Sequence, residues 1–259
     1  MFEKETERYE GLRRDYQRLV VQPMGEEQYR EYNEILFSTH SCAIEGNTFT
    51  LADSRALFEL GLGMTPQGRS LLECTEMADH FRAFEFMLKS VSSPFDEALA
   101  KETNRLVTLH TLAHKVPGAV PGEYTTVDMA AGDTLFGDHR KLIARLPELM
   151  KSTNKALSSG THPLLVAARF HGFFIYLHPF RDGNGRTARL LSNHILLKAG
   201  HPLLIIESNE RNSYIDALRC IRTEGTDEYL TAFFLRTAIK RMEREIDEKR
   251  RASRPVLFF

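Results

Sequence analysis

Apolar residues recur every three or four positions over most of the chain, which is the spacing of amphipathic helices rather than strands. Residues 3–21 and 26–39 are charged and amphipathic and predict surface helices. Thr50 caps a helix running to Leu60, with Asp53 three residues on and Gly61 at its end. Residues 62–69 read as a loop, and 70–91 and 95–115 as further helices. The second of these keeps Leu106, Leu109 and Ala113 on one face. The texture changes over 117–138, where four glycines and two prolines surround Tyr124, Thr125, Thr126 and Val127. That is turn and short-strand chemistry, most simply a β-hairpin. Helical periodicity returns over 140–156 through Leu142, Leu146 and Leu149. Residues 163–177 are apolar almost all round, so this helix belongs in the middle of the core, and Pro179 stops it. Helices over 186–198, closed by Gly200, then 211–222 and 227–249, complete a mostly α fold with one small hairpin. The Gly/Pro stretch reads as a functional loop inside one domain, not as a linker.

Composition narrows the class. A chain of 259 residues buries roughly 70–75 % of its unfolded surface, so it needs no metal or disulfide staple. The hydrophobic fraction of 42 % and charged fraction of 27 % exclude dominant disorder and fibrous repeats. The formal net charge of −1 argues against a generic nucleic-acid binder. Cys42, Cys74 and Cys220 are scattered, with no metal spacing, which fits a reducing compartment and small buried thiols. The charged N-terminus lacks the apolar core of a secretory signal, and no uncharged apolar run approaches the ~18 residues that span a bilayer. The expected location is the cytoplasm, with no membrane partner.

Chemistry concentrates in residues 178–189, HPFRDGNGRTAR, between an apolar helix and the next helix. Gly183 and Gly185 let the backbone turn tightly and point successive N–H groups inward, and the following helix adds its positive end. Together these make an anion site, with phosphate the obvious anion. Arg186 and Arg189 stand at i and i+3, two guanidinium forks suited to a polyphosphate. Asp182 beside phosphates is explained by a bridging divalent cation, usually Mg²⁺. Asn184 offers an amide to a phosphate oxygen, and His178 a proton acceptor that works near neutral pH. Each residue alone has a plain structural role as a helix end, a turn or a solvated face. Their coincidence within twelve residues reads as nucleotide chemistry. A competing pattern, GxGxxA over 183–188 with Glu207 beyond, matches a dinucleotide fingerprint. It is disfavoured because no strand leads directly into the loop and the chain lacks alternating strands and helices.

At these residues the sequence resembles the Fic-domain family, whose signature HxFx[DE]GNGRxxR is met at every fixed position by 178–189. Residues 41–47, SCAIEGN, resemble the family's inhibitory motif [ST]xxxE[GN] through Ser41, Glu45 and Gly46, which implies a class II member. The same residues also read as a helix end with Gly46 as its cap. The resemblance implies a Fic-type helical bundle. It divides the chain into an N-terminal helical region over 1–99, a catalytic core over 100–240 and a helix end and tail over 241–259. It also implies a protein adenylyltransferase that moves AMP from ATP to a Ser, Thr or Tyr hydroxyl of a target protein, with Mg²⁺ on the phosphates. By motif position His178 is the expected base and Asp182 the metal carboxylate. Gly183, Asn184 and Gly185 form the nest, Arg186 meets the β/γ-phosphates and Arg189 the γ-phosphate. Phe180 anchors the loop. Glu45 is expected to pair with Arg189 and restrain the reaction. The hairpin over 122–138 resembles the family's flap, with Tyr124, Thr125, Thr126 and Val127 docking an extended target segment. Tyr214 lines the adenine pocket by analogy or, on an equal footing, belongs to the core, and Arg222 stands where some relatives place an Asn. Removal of AMP, auto-AMPylation and a homodimer stay open. The alternative is a nucleotide-binding regulatory module without transfer activity.

Overall fold

A computed structural model describes residues 2–63, 65–131 and 134–252 of the chain. Residues 132–133, within the predicted hairpin, and 253–259, within the predicted tail, lie outside the described residues. Helix α1 (Glu3–Tyr16) runs through a π-helical turn, Gln17–Val21, into α2 (Gln22–Met24). Next come α3 (Glu26–Ile44), α4 (Leu51–Leu60), α5 (Leu71–Lys89), α6 (Glu97–Thr108) and α7 (Leu112–Lys115). Strands β1 (Ala130–Ala131) and β2 (Thr134–Leu135) pair antiparallel, with Ala130 opposite Leu135. Helices α8 (Leu142–Ser158), α9 (Pro163–Leu177), α10 (Asn184–Lys198), α11 (Arg211–Glu224) and α12 (Glu228–Ala252) complete the order.

Local signals set several of these boundaries. Thr50 and Asp53 form a reciprocal capping box on α4, and Ser70 and Glu73 form another on α5. Each satisfies two backbone donors that the first helical turn would otherwise leave open. The predicted helix over 95–115 is two helices, broken at residues 109–111, and the predicted end of α3 at Thr39 lies five residues short of Ile44. Tertiary packing overrides propensity there: Ser41, Cys42 and Ile44 are all buried.

Helix α9 is the hub, packed against α8, α10, α11 and α12. Its apolar circumference explains that position: Leu164, Ala167, Phe170 and Phe174 are at most 1 % exposed. Burying each phenylalanine contributes roughly 1.5–3 kcal/mol. A buried polar knot fixes α3 to this body. Arg241 on α12 donates to Glu245 (2.8 Å), to the Leu203 carbonyl (2.9 Å) and to Asn33 on α3 (2.6 Å). Tyr16 donates to the other Glu245 oxygen at 2.6 Å. Burying such charges is costly unless every lone pair is met, and here the partners come from α1, α3 and α12 together. No helix among the described residues is long and apolar enough to cross a membrane.

The hairpin is smaller than the sequence predicts. Among the described residues, strand pairing is confined to 130–131 and 134–135, while Tyr124 forms an isolated bridge with Phe180 and the Thr125 N–H donates to the Pro179 carbonyl at 2.8 Å. Tyr124 and Thr125 therefore tie this segment to the start of the Gly-rich loop rather than offering a free strand edge. Thr125 is 4 % exposed, and only Thr126 and Val127 of the four face solvent.

Candidate functional site

The loop over 178–183 joins the buried C-terminus of α9 to the N-terminus of α10. His178 ends α9 in the left-handed conformation at φ 49°, and Gly183 opens α10 at φ 75°. A side chain on Gly183 would also collide with Thr108, whose methyl carbon lies 2.7 Å from the position a Cβ would take. Phe180, 1 % exposed, anchors the loop among Phe174 and Tyr124. Asn184 closes the turn onto it, receiving the Phe180 N–H at 3.0 Å and donating to the Phe180 carbonyl at 2.7 Å. Its amide is thus spent within the loop, whereas the sequence assigned it to a phosphate oxygen.

The first turn of α10 leaves backbone donors without helical partners, and the helix dipole makes that end attractive to an anion. A carboxylate is there. Glu45, capping the C-terminus of α3, brings Oε1 to 2.2 Å from the position a Cβ on Gly185 would occupy. The same oxygen accepts from Arg189 Nη2 at 2.8 Å. Burial opposes charge on Glu45, but the Arg189 and Arg186 guanidiniums outweigh it and hold the carboxyl below its usual range. Arg189 also donates from Nε to Ser41 Oγ (3.0 Å) and from Nη2 to the Ser41 carbonyl (2.8 Å). Its Nη1 is buried without a hydrogen-bond partner, 3.1 Å from that same Cβ position on Gly185. An orphaned guanidinium nitrogen at a helix N-terminus is a donor waiting for an anion. Gly46, at φ 104°, takes the chain away from the helix end, so the helix-cap role and the contact with Arg189 coexist in one segment.

Arg186 sits deeper than the sequence implied, 1 % exposed. Its Nη1 donates to Glu76 Oε1 at 2.7 Å and its Nη2 to Asp182 Oδ2 at 3.1 Å. Lys115 at the end of α7 reaches both carboxylates, 2.7 Å from Glu76 and 3.6 Å from Asp182 Oδ2. Both cationic contacts to Asp182 fall on Oδ2 of a partly exposed carboxylate. Oδ1 takes part in neither, and a carboxylate oxygen of that kind is the hard donor a divalent cation requires.

His178 donates from Nδ1 to the Ile175 carbonyl at 3.3 Å, which leaves Nε2 with its lone pair. Burial pulls its pKa down to about 4, against the opposing effects of the Ile175 carbonyl, Glu45 and Asp182, so the ring is neutral near pH 7. A cavity of about 300 Å³ opens beside it, walled by Phe136, Ile175, Tyr176, Ile215, Leu218 and Arg222. Tyr214 is not part of that wall. It is 1 % exposed, and its hydroxyl meets His171 Nε2 at 2.7 Å. His171 Nδ1 in turn meets Ser192 Oγ at 3.1 Å, so the pair belongs to the core behind Arg189.

Sequence reasoning missed Glu76, His80, Lys115 and Phe136. His80, fully buried, bonds Ser38 (3.0 Å) and Ser41 (2.9 Å) and props the serine that holds Arg189. Residues 76 and 80 share one face of α5 and break its apolar stripe, the one sequence signal that singles them out.

Residues 94–196 match the Fic/DOC family. "Protein adenylyltransferase Fic" of Drosophila yakuba is 32 % identical over 188 residues, covering 72 % of this chain and 36 % of the relative. The protein of the same name from Nematostella vectensis is 34 % identical over 197 residues, covering 69 % and 41 %. The match thus spans little more than a third of these relatives' length. Fic-1 from C. elegans superposes with a TM-score of 0.83 at 26 % identity, covering 96 % of this chain and 73 % of that one. A Fic-domain signaling protein from Bacteroides thetaiotaomicron superposes at 0.81, with 24 % identity and coverage of 94 % and 97 %.

Proposed function

From the match of residues 94–196 to the Fic/DOC family, we propose that the chain is a protein adenylyltransferase of class II, moving AMP from ATP to a hydroxyl of a target protein and restrained by its own Glu45. The observation that carries this reading is the Glu45 carboxylate on Arg189 at the N-terminus of α10, where helix-end donors favour an anion. The curated relatives bear the name of that activity.

The target hydroxyl oxygen attacks the α-phosphorus while His178 Nε2 takes its proton. The bond from the α-phosphorus to the oxygen bridging to the β-phosphate breaks, and pyrophosphate leaves. A divalent cation held by Asp182, Mg²⁺ for preference, would neutralise charge on the phosphates. The neutral state of His178 and the lone pair on Nε2 suit a proton acceptor, and the Nδ1 bond to Ile175 sets the ring tautomer. Backbone N–H groups at Gly185 and the free Nη1 of Arg189 are preorganised donors for the developing charge. With Glu45 in place the γ-phosphate meets a carboxylate, and ATP is held off its productive position. Glu76 adds a second restraint, because Arg186 must leave it before meeting the β/γ-phosphates. The cavity behind Phe136 suits the nucleobase in size and in its apolar side chains, with Arg211, Arg219 and Arg222 also at its wall. Thr126 and Val127, with the short ladder beyond them, form the surface we assign to the target segment. The structure of IbpAFic2 in complex with adenylylated Cdc42 shares the fold, with a TM-score of 0.57. The inhibitory carboxylate also suits the reverse reaction, in which it would activate water against the AMP ester.

Label transfer to protein from α-labelled and, separately, γ-labelled ATP with Mg²⁺ tests the reading. Label from the α position, strongest in Glu45→Gly and absent in Glu45→Gly/His178→Ala, is the expected result. Label from the γ position, or equal α-label from wild type and Glu45→Gly, overturns it.

A further inference from the structure

Phe136 follows β2 and lies face-on against His178, with ring centroids 3.7 Å apart and planes inclined by 15°. The contact is built rather than incidental. The Phe136 N–H donates to the Met129 carbonyl at 2.9 Å, closing the ladder behind it. The next N–H, of Gly137, donates to the Tyr176 carbonyl at 2.9 Å. A Cβ on Gly137 would stand 3.3 Å from that carbonyl oxygen and 3.4 Å from the Leu177 Cα, so the backbone approaches the end of α9 closely and a side chain there would be tight. The hairpin is therefore clamped onto the last turn of α9 one residue from the aromatic ring. His178 itself sits in a conformation that a non-glycine residue adopts only when its surroundings hold it there. Phe136 also walls the cavity of about 300 Å³.

We propose that Phe136 is a positioning residue for His178: its ring fixes the imidazole plane, keeps water from one face, and forms part of the wall of the nucleobase cavity. This rests on the reading of His178 as proton acceptor. The charged groups that His178 senses are Glu45 at the end of α3 and Asp182 in the loop, both of which favour the imidazolium. Among the described residues, what faces it from the hairpin is the apolar Phe136 ring. One ring thus serves two sites, so a nucleobase seated in the cavity also buttresses the imidazole.

The test is the midpoint of His178 protonation, read by NMR on histidine-labelled protein, in wild type, Phe136→Ala and Phe136→Tyr. Opening one face of the ring to water should raise the midpoint by about one to two pH units in Phe136→Ala, because burial is the cause that depresses it. Phe136→Tyr keeps the stack and should titrate as wild type. The fully buried His171 serves as an internal control for an intact core. In the Glu45→Gly background the acid limb of the transfer rate should move upward by the same amount. A His178 midpoint unchanged in Phe136→Ala, with His171 unperturbed, overturns the proposal. If Glu45→Gly transfers no AMP at any pH, the functional reading fails while the NMR midpoint still decides this one.

Discussion

Replacing Glu45 by Gln keeps the side-chain volume and removes the charge. Arg189 retains both contacts to Ser41 and loses its carboxylate partner. Two unit charges about 4 Å apart interact by about 4 kcal/mol at the effective dielectric of a protein surface. The Glu45 side chain is 37 % exposed against 3 % for Arg189, so water screens the pair and about 1–2 kcal/mol remains. Two effects of opposite sign follow. The nucleotide-free protein should melt roughly 3–6 °C lower, because a buried guanidinium is left undercompensated. Affinity for a non-hydrolysable ATP analogue with Mg²⁺ should rise roughly 5- to 30-fold, because the phosphate no longer displaces a carboxylate. Differential scanning fluorimetry and titration calorimetry read the two quantities. In Arg189→Met/Glu45→Gln the affinity gain should vanish. A variant that melts lower without binding tighter would refute the idea that the carboxylate and the phosphate compete for one arginine.

Gly183→Ala should lower stability by about 2–3 kcal/mol, from a left-handed backbone plus a 2.7 Å collision with the Thr108 methyl. The denaturation midpoint measures this, and Thr108→Ser in the same chain should restore part of the loss. His171 titrates at about 3 in the fold because burial, then the nearby Arg189, disfavours its charge, whereas the unfolded chain titrates near 6.5. The native state therefore binds fewer protons, and this contribution to stability is lost as pH falls from 6.5 towards 3, by about 1.4 kcal/mol per unit. Urea midpoints at pH 7.5, 6 and 5 check the slope, which His171→Gln should flatten.

How much the sequence discloses differs by element. The loop over 178–189 is legible because its chemistry is local: glycines, arginines and carboxylate lie within eight consecutive residues. Helix α9 was legible because a helix apolar all round has only one place to go. The Glu45–Arg189 pair joins residues 144 positions apart, so periodicity is silent on it and only the family motif brought it forward. Arg186 reads on paper as an exposed fork. Its burial depends on Glu76, a single charged residue on an amphipathic helix that resembles any solvated position until the fold turns it inward. Tyr214 illustrates the same limit in reverse. Analogy offers it a pocket wall and its aromatic ring equally a place in the core, and the hydroxyl finds a histidine partner in the core. The hairpin was overread because β-branched residues at 125–127 favour strands, whereas the Pro179 carbonyl and Phe180 claim the backbone there.

The knot around Arg241 grips α3 at Asn33, while Glu45 sits twelve residues further on, beyond the last turn of the same helix. The helix is thus moored at Asn33 and again at its packed end, where Ser41, Cys42 and Ile44 are buried, and it carries its restraint on the next residue. Freeing Arg189 from its carboxylate requires no swing of a lobe and no unwinding of the buried turn, because the partly exposed Glu45 side chain has only to turn aside. The control element behaves as a latch, and its threshold is set by the few side chains after Ser41, where one substitution or one contact can reset it.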